Sequence, residues 1–321
     1  MSLFEILNRF LGRKNSSKQP NRPTHPATLR IELANPELNR PIVFDPALRQ
    51  FTAHRAGEPA FESGLEADIW HSSRLAVLQH MLCVVRQSRW SPHLMLRGSA
   101  LMVSWFGELA RRPGDLDWVV LPAEWKAHGK ESRRLIADLL EGIEGASIGD
   151  EILVPPDSHV MEDIWTYERA SGIRIVVPWN HTNSKYNGSV QMDFVFQEEF
   201  PSEPLSTAVS VGDFPPVELL AVSPHQSLAW KLLWLTSDSY PMGKDLYDAV
   251  LLAEKFGASV DIIRETFRVA GAEPTQIEQI GVLSESIEWN EFLKEHPHVT
   301  GTAGEWQQRL TNSLDSVFKK R

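Results

Sequence analysis

The sequence has little cysteine and no long apolar run. Cys83 is the only cysteine, so neither an intramolecular disulfide nor a metal cluster of several thiolates can form. No apolar stretch approaches the roughly 20 residues that a membrane-spanning helix needs. Met1 to Arg30 lacks the apolar core and small-residue cleavage site of a secretion signal. We therefore expect a cytoplasmic protein without a membrane span.

Positive charge is also scarce in this chain. The 321 residues include 32 Lys and Arg against 42 Asp and Glu, a formal net charge of −10, which argues against indiscriminate nucleic-acid binding. The charge is uneven, because residues 1–30 have six basic residues and one acid, giving +5 there and −15 for the remainder. Such a basic segment suits RNA or an anionic membrane surface, and the alternative is a solvated, flexible tail.

The chain divides into three segments by its pattern of apolar residues. Residues 1–60 combine a short amphipathic helix, a basic linker and a loop-rich extension. Residues 61–215 alternate strand and helix patterns, whereas residues 216–321 have helical spacing from Val217 onward. The sequence predicts an α+β fold, with a mixed sheet flanked by helices in a domain at 61–215 and a helical C-terminal domain at 216–321.

Individual elements follow from apolar spacing and from stops at Pro and Gly. The predicted strands are Pro41–Phe44, His93–Arg97, Leu116–Leu121, Ile173–Pro178 and Ser189–Phe196, with polar turns at Ser171-Gly172 and Asn187-Gly188. The predicted helices are Ser2–Leu11, Ile69–Trp90, one from Gly98-Ser99 through Phe106 to Leu109, Glu124–Gly142, Ser223–Leu235, Gly243–Phe256, Val260–Ala270, Ile287–Glu295 and Glu305–Phe318.

The first chemical signal is a strand followed by Gly98-Ser99, a helix, a turn and then Asp115-Leu116-Asp117. Glycine permits close backbone approach, and a helix that begins at Ser99 offers N–H groups and its positive dipole end to phosphate oxygens. Asp115 and Asp117 are two residues apart on a strand, so both carboxylates point to one face and can reach one hard divalent cation. The segment predicts a phosphate seat beside a metal site.

A third carboxylate, Asp193, interrupts a strand that is otherwise mostly apolar. An acid in such a strand needs a partner, because burying an unpaired charge is costly. If this strand lies beside that of Asp115 and Asp117, the three acids can hold two Mg²⁺ ions, one for a triphosphate and one for an attacking hydroxyl. Taken singly, each signal has an ordinary structural explanation, but their order favours one shared mechanism.

The helical segment adds Lys231 and the run Lys244-Asp245-Leu246-Tyr247-Asp248. Asp245 and Asp248 lie about one helical turn apart and share a face, and Lys231 on the preceding helix can point into the same cleft. A lysine there would neutralise triphosphate charge. The alternative is an interhelical ion pair between Lys231 and Asp245, and the two interpretations are compatible.

Together these residues resemble the AbiEii/AbiGii-type nucleotidyltransferases, the toxin half of a class of bacterial toxin–antitoxin pairs related to phage abortive infection. The resemblance runs from about Leu94 to Phe256 and implies a polymerase-β-like catalytic domain, Mg²⁺ as cofactor, a nucleoside triphosphate substrate and an antitoxin partner. In some members the acceptor is an RNA such as tRNA.

The resemblance also assigns expected roles to residues of this chain. It makes Asp115, Asp117 and Asp193 the catalytic metal ligands, with Asp193 also accepting the hydroxyl proton. The nucleotide-binding residues are then Gly98 and Ser99, which seat the triphosphate, Lys231, which steadies it, and Asp245, which orients Lys231 or contacts the base or acceptor.

Two departures from the family pattern stand out. The gap between Ser99 and Asp115 is longer than usual, and Pro241 stands where many members have an arginine, for which Arg111, Arg112 or Lys185 is a candidate substitute. Two alternative functions stay open at this point. One is transfer to a protein or small-molecule acceptor, which the overall acidity suits if that acceptor is cationic, and the other is a catalytically inactive nucleotide-binding module.

Overall fold

The computed structural model describes residues 26–29, 38–45, 54–164, 170–238, 241–272 and 286–318. The predicted helix Ser2–Leu11 and most of the linker after it lie outside the described residues. No helix in the described ranges is both long and apolar enough to cross a bilayer.

The strands form one large mixed sheet and one separate two-stranded sheet. They are β1 Ile42–Phe44, β2 His54–Ala56, β3 Leu94–Arg97, β4 Asp115–Val120, β5 Ser147–Ile148, β6 Ile152–Leu153, β7 Val160–Asp163, β8 Ser171–His181, β9 Asn187–Phe196, β10 Leu205–Val209 and β11 Val217–Ala221. The large sheet has the order β10-β11-β3-β4-β9-β8-β6-β5, and β7 also pairs with β8. In it β4 and β9 are parallel, as are β11 and β3, whereas β3 and β4 are antiparallel.

Helices flank this sheet and form the C-terminal region. They are α1 Gly64–Gln87, α2 Ser99–Phe106, α3 Lys130–Ile143, α4 Pro224–Ser237, α5 Gly243–Phe256, α6 Val260–Val269, α7 Trp289–Glu295 and α8 Ala303–Phe318. Helix α1 packs on α3, β9 and β11, and α5 packs between α4 and α8. The predicted α+β class, a mixed sheet flanked by helices with a helical C-terminal region, is confirmed.

The two faces of the sheet differ in chemistry. Trp118 and Phe194 are directly opposite each other on β4 and β9 and are fully buried. Because side chains alternate between faces along a strand, the neighbouring residues Asp117 and Asp193 point to the other face. The buried pair Val119 and Val195, two positions further along, shares the face of the acids, so Asp117 and Asp193 lie at the polar end of a face that continues into the apolar core.

The prediction that helical structure begins at Val217 is wrong. Residues Val217–Ala221 form β11, which pairs with β3 in parallel and with β10 in antiparallel. In this strand Val217, Leu219 and Ala221 are buried while Glu218 is exposed, which is the two-residue period of a half-buried strand. The division at residues 60 and 215 into three units stays a prediction.

The two predicted polar turns are also wrong. Ser171-Gly172 and Asn187-Gly188 begin β8 and β9, and residues 182–186 connect these strands. Gly188 pairs with Trp179, whose indole lies where a Cβ on Gly188 would be, 2.7 Å from the nearest ring atom. Glycine is needed here for close side-chain packing and not for a turn.

Candidate active site

The Gly98-Ser99 corner is built against the two acids of β4. Gly98 joins β3 to α2 with φ +84° and ψ −151°, a conformation that side chains with a Cβ rarely adopt. A Cβ on Gly98 would collide with the Asp117 carboxylate. The Ser99 hydroxyl donates a hydrogen bond to Oδ1 of Asp115 at 2.8 Å. The predicted phosphate seat therefore also supports both carboxylates.

An in-register row of charged residues crosses the centre of the sheet. Arg97 on β3 is opposite Asp117 on β4, Asp117 is opposite Asp193 on β9, and Asp193 is opposite Arg174 on β8. The condition that the strands of Asp115 and Asp193 be neighbours is thus confirmed. Since directly opposite residues share a face, and Asp115 lies two positions before Asp117, the three acids project from one face.

The carboxylates share one electrostatic environment. Burial, then Asp115, then Asp193 raise the pKa of Asp117 to about 7, while Arg97 and Lys244 act in the opposite direction. Each nearby negative charge makes ionisation of Asp117 harder. A divalent cation beside Asp117 would favour its ionised form.

Asp193 has protein partners for both of its oxygens. Its side chain is buried, and Arg174 donates from Nε to Oδ1 at 2.9 Å and from Nη2 to Oδ2 at 2.7 Å. Gln191 Nε2 donates to Oδ2 at 3.2 Å. The expectation that a strand acid needs a partner is met, but the sequence prediction did not include Arg174 or Gln191.

The donor set at the centre suits a hard cation at two of the three acids. Divalent ions such as Mg²⁺ prefer carboxylate oxygens, which Asp115 and Asp117 offer beside the Gly98-Ser99 corner. In the part of the chain that the structure describes, no group of three or more His, Cys, Asp or Glu side chains is arranged to hold a metal ion. The Asp193 carboxylate is paired with Arg174 in this arrangement.

Four buried charges connect the helical region to the start of β4. Lys231 Nζ on α4 lies 2.7 Å from Oδ1 of Asp245 and 3.3 Å from Oδ2 of Asp248, both on α5. Arg111, in the turn before Asp115, donates to both oxygens of Asp248 at 3.1 and 2.7 Å. Burial alone would lower the pKa of Lys231, but the two aspartates raise it. The predicted ion pair between Lys231 and Asp245 is confirmed.

Comparison with models of protein families shows to which family the chain belongs. The family model described as "Nucleotidyl transferase AbiEii toxin, Type IV TA system" matches residues 81–319. The chain belongs to the AbiEii toxin family. The match spans all the predicted site residues of this AbiEii-family enzyme, from Gly98 to Asp245, and identifies it as a nucleotidyltransferase of a toxin–antitoxin family.

Two solved structures from Helicobacter pylori are similar to this AbiEii-family chain. JHP933 is 12% identical, covers 78% of this chain and 92% of its own, and has a TM-score of 0.47. A second protein, proposed to be a nucleotidyltransferase, is 13% identical, covers 79% and 98%, and has a TM-score of 0.42. Both scores lie below 0.5, so the family assignment rests on the sequence match. No curated protein matches the sequence.

Several residues of the AbiEii-family site were not predicted from the sequence. Arg97 bonds to Glu198 at 2.7 Å, and its guanidinium lies over the rings of Trp230 and Trp234. Lys244 lies near enough to Asp117 to lower its pKa. Both residues could have been predicted as part of the site from their positions in the sequence. Arg97 directly precedes Gly98, and Lys244 is the first residue of the run that ends at Asp248.

The three candidate substitutes for the missing family arginine lie in different settings. Arg111 is bound by Asp248, and this carboxylate raises the pKa of the guanidinium although burial alone would lower it. Arg112 is exposed beside it, and Lys185 is exposed in the connection between β8 and β9. The charge of Asp115 also contributes to the raised pKa of Arg111. Arg111 is therefore electrostatically coupled to the acidic centre.

Proposed function

We propose that this enzyme transfers a nucleoside monophosphate from a nucleoside triphosphate to a hydroxyl of an RNA acceptor such as tRNA, in a Mg²⁺-dependent reaction. In this proposal it is the toxin of a phage-defence pair, neutralised by an antitoxin protein, and acts in the cytoplasm. One observation carries the chemistry: Asp115, Asp117 and Asp193 project from one face of the sheet beside the Gly98-Ser99 corner.

The proposed nucleotide site uses groups around that corner. The backbone N–H groups at the start of α2, together with Gly98 and Ser99, bind the β and γ phosphates. Lys244, beside Asp117, adds positive charge. Lys231 contributes charge from its buried position and, through Asp245, fixes the start of α5 where Lys244 lies.

Asp115 and Asp117 would hold the divalent cation, which when bound offsets triphosphate charge and lowers the pKa of a coordinated hydroxyl. In the proposed reaction the acceptor oxygen forms a bond to the α-phosphorus, and the bond from that phosphorus to the pyrophosphate oxygen breaks. Asp193 accepts the hydroxyl proton. The products are the nucleotidylated acceptor and pyrophosphate.

The direct test incubates the purified protein with each of the four α-labelled triphosphates, Mg²⁺ and total tRNA. We expect label in tRNA with the natural protein and a decrease of about two to three orders of magnitude for Asp115→Asn, because several kcal/mol of charge stabilisation is lost. Asp213→Asn, in an exposed turn before β11, is the matched control and should retain full transfer. Unchanged transfer by Asp115→Asn would remove the proposal.

The same assay with cell lysate identifies the acceptor class. Label in a protein or a small molecule would replace RNA as the acceptor, and stabilisation by nucleotide without pyrophosphate release would indicate a binding module. Deletion of residues 1–24 removes basic residues but keeps Ala27 and Thr28, whose backbone N–H groups donate to Glu162. Acceptor binding that weakens steeply with salt and with this deletion would support RNA.

A further inference from the structure

The Arg174–Asp193 pair is unequally exposed. The Asp193 side chain is 3% exposed, whereas that of Arg174 is 17% exposed. A ligand that approaches from solvent therefore meets the guanidinium before it meets the carboxylate.

The pairing limits what Asp193 can offer to a cation. Oδ2 accepts hydrogen bonds from both Arg174 and Gln191, which uses its two lone pairs, and Oδ1 accepts one from Arg174. The guanidinium also places a full positive charge beside the carboxylate. Oδ1 keeps one lone pair, but the adjacent guanidinium charge repels a cation there, so the release of Arg174 favours binding of the cation by Asp193 together with Asp115 and Asp117.

We propose that Arg174 binds a backbone phosphate of the acceptor strand and thereby releases Asp193 to the cation. This inference rests on the proposed function, because it assumes that Asp193 serves the cation during transfer. A guanidinium binds phosphate with the same two-pronged geometry that it uses for a carboxylate, so phosphate is a direct competitor of Asp193. Arg174 is a positioning residue in this scheme.

Charge balance favours such an exchange. Without a substrate, the positive charge of Arg174 compensates one of the acids that crowd Asp117. A divalent cation held by Asp115 and Asp117 would supply that compensation instead, and the acceptor phosphate would neutralise the released guanidinium. Neither state leaves a buried charge unpaired, which would be costly.

The strand order points to the acceptor as the source of the phosphate. Gly98-Ser99 lies at the end of β3, whereas Arg174 lies on β8, and β4 and β9 separate the two. With strands roughly 4.8 Å apart, Arg174 is on the order of 14 Å across the sheet from the triphosphate seat. In phosphoryl transfer the attacking and leaving oxygens lie roughly in line, so the acceptor would approach from the side away from the triphosphate, which is the side of Arg174.

The first arm of the test measures Mn²⁺ binding without nucleotide or RNA, by electron paramagnetic resonance. We expect Arg174→Gln to raise Mn²⁺ affinity about tenfold, equivalent to about 1.4 kcal/mol, and Asp193→Asn in the same chain to cancel the gain. Arg309→Gln is the control, because Arg309 makes a similar two-pronged pair with Glu254 on the surface. An Arg174→Gln chain that binds Mn²⁺ no better than this control overturns the proposal.

The second arm measures binding of a single-stranded RNA oligonucleotide in EDTA. Asp193→Asn removes the carboxylate charge that pairs with Arg174 and should tighten RNA binding several-fold, whereas Arg174→Gln should weaken it. A non-hydrolysable ATP analogue should bind all variants equally. If the analogue responds and RNA does not, or if neither responds, the acceptor-phosphate role is wrong.

Two safeguards keep the test decisive. If circular dichroism shows that Arg174→Gln is unfolded, Arg174→Lys replaces it and should give a smaller gain in Mn²⁺ affinity, and no gain overturns the proposal. Failure of the proposed function looks different, since the natural protein would then transfer no label to tRNA, or Asp115→Asn would leave that transfer intact. Loss of the Arg174 effect alone, with Asp115 still required, rejects only this inference.

Discussion

At the scale of single residues, Asp117 is constrained by its neighbours in both space and charge. Gly98 leaves room for its carboxylate, Asp193 stands opposite it, and burial with the neighbouring acids raises its pKa to about 7. Because this pKa is raised above the ordinary value of 3.8, Asp117 favours the folded state fully below about pH 4. That contribution is lost as pH rises through about 7.

We therefore predict that Asp117→Asn stabilises the cation-free protein more at pH 8 than at pH 5, because at pH 8 the natural Asp117 is ionised beside Asp115 and Asp193, whereas Asn has no charge. The measurement is the melting temperature in EDTA at both pH values, with an expected gain of about 2–4 °C at pH 8 for each kcal/mol relieved. Asp213→Asn should show no such pH dependence. A constant difference between Asp117→Asn and the natural protein would contradict the raised pKa.

The sequence was sufficient to place Asp115 and Asp117 on one face, but it left the position of Asp193 beside them as a condition and did not predict the partner of Asp193. The spacing of Asp115 and Asp117 specifies a shared face, because strand side chains alternate with a period of two. Arg174 becomes the partner of Asp193 only through the register of β8 on β9, which no local pattern specifies. The assignment of Asp115, Asp117 and Asp193 as catalytic metal ligands stays a prediction.

At the scale of elements, the buried charge network fixes α5 against the start of β4. Asp248 on α5 is 1% exposed and is bonded to both Arg111 and Lys231, and Tyr247 donates to the Leu109 carbonyl at 2.6 Å. Burial alone would raise the pKa of Asp248, but Arg111 and Lys231 lower it, so its stabilising effect is lost only in acid.

We predict that Asp248→Asn lowers the free energy of unfolding at pH 7 by about 3–5 kcal/mol, because two buried cations lose their shared counter-charge. Chemical denaturation measures this directly. Glu254→Gln, which breaks the surface pair with Arg309, should cost less than about 1 kcal/mol. Equal effects of the two substitutions would show that the network does not hold α5 in place.

Element prediction succeeded where local signals were strong. Ser223 caps α4 by accepting from the Gln226 N–H, and α5 has the predicted bounds Gly243–Phe256. The prediction failed at Val217–Ala221, where buried and exposed residues alternate as in a strand. The residues that follow have helical spacing, and the prediction extended that spacing back to Val217. Five residues with alternating burial are too few to outweigh that neighbouring pattern.

At the scale of the whole molecule, the end of the basic N-terminal segment contacts the acidic body. Glu162 on β7 accepts the backbone N–H groups of Ala27 and Thr28 and also the Thr28 hydroxyl. β7 pairs with β8, and Glu162 is directly opposite Arg174. The described end of the basic segment is thus held on the side of the sheet where we propose that the acceptor binds.

The most direct test of the account is the anomalous difference map of crystals grown with Mn²⁺ and a non-hydrolysable nucleoside triphosphate. We predict a peak bound by carboxylate oxygens of Asp115 and Asp117, with the triphosphate at the Gly98-Ser99 corner. A triphosphate bound elsewhere, or Mn²⁺ that contacts neither aspartate, would contradict the proposed catalytic centre.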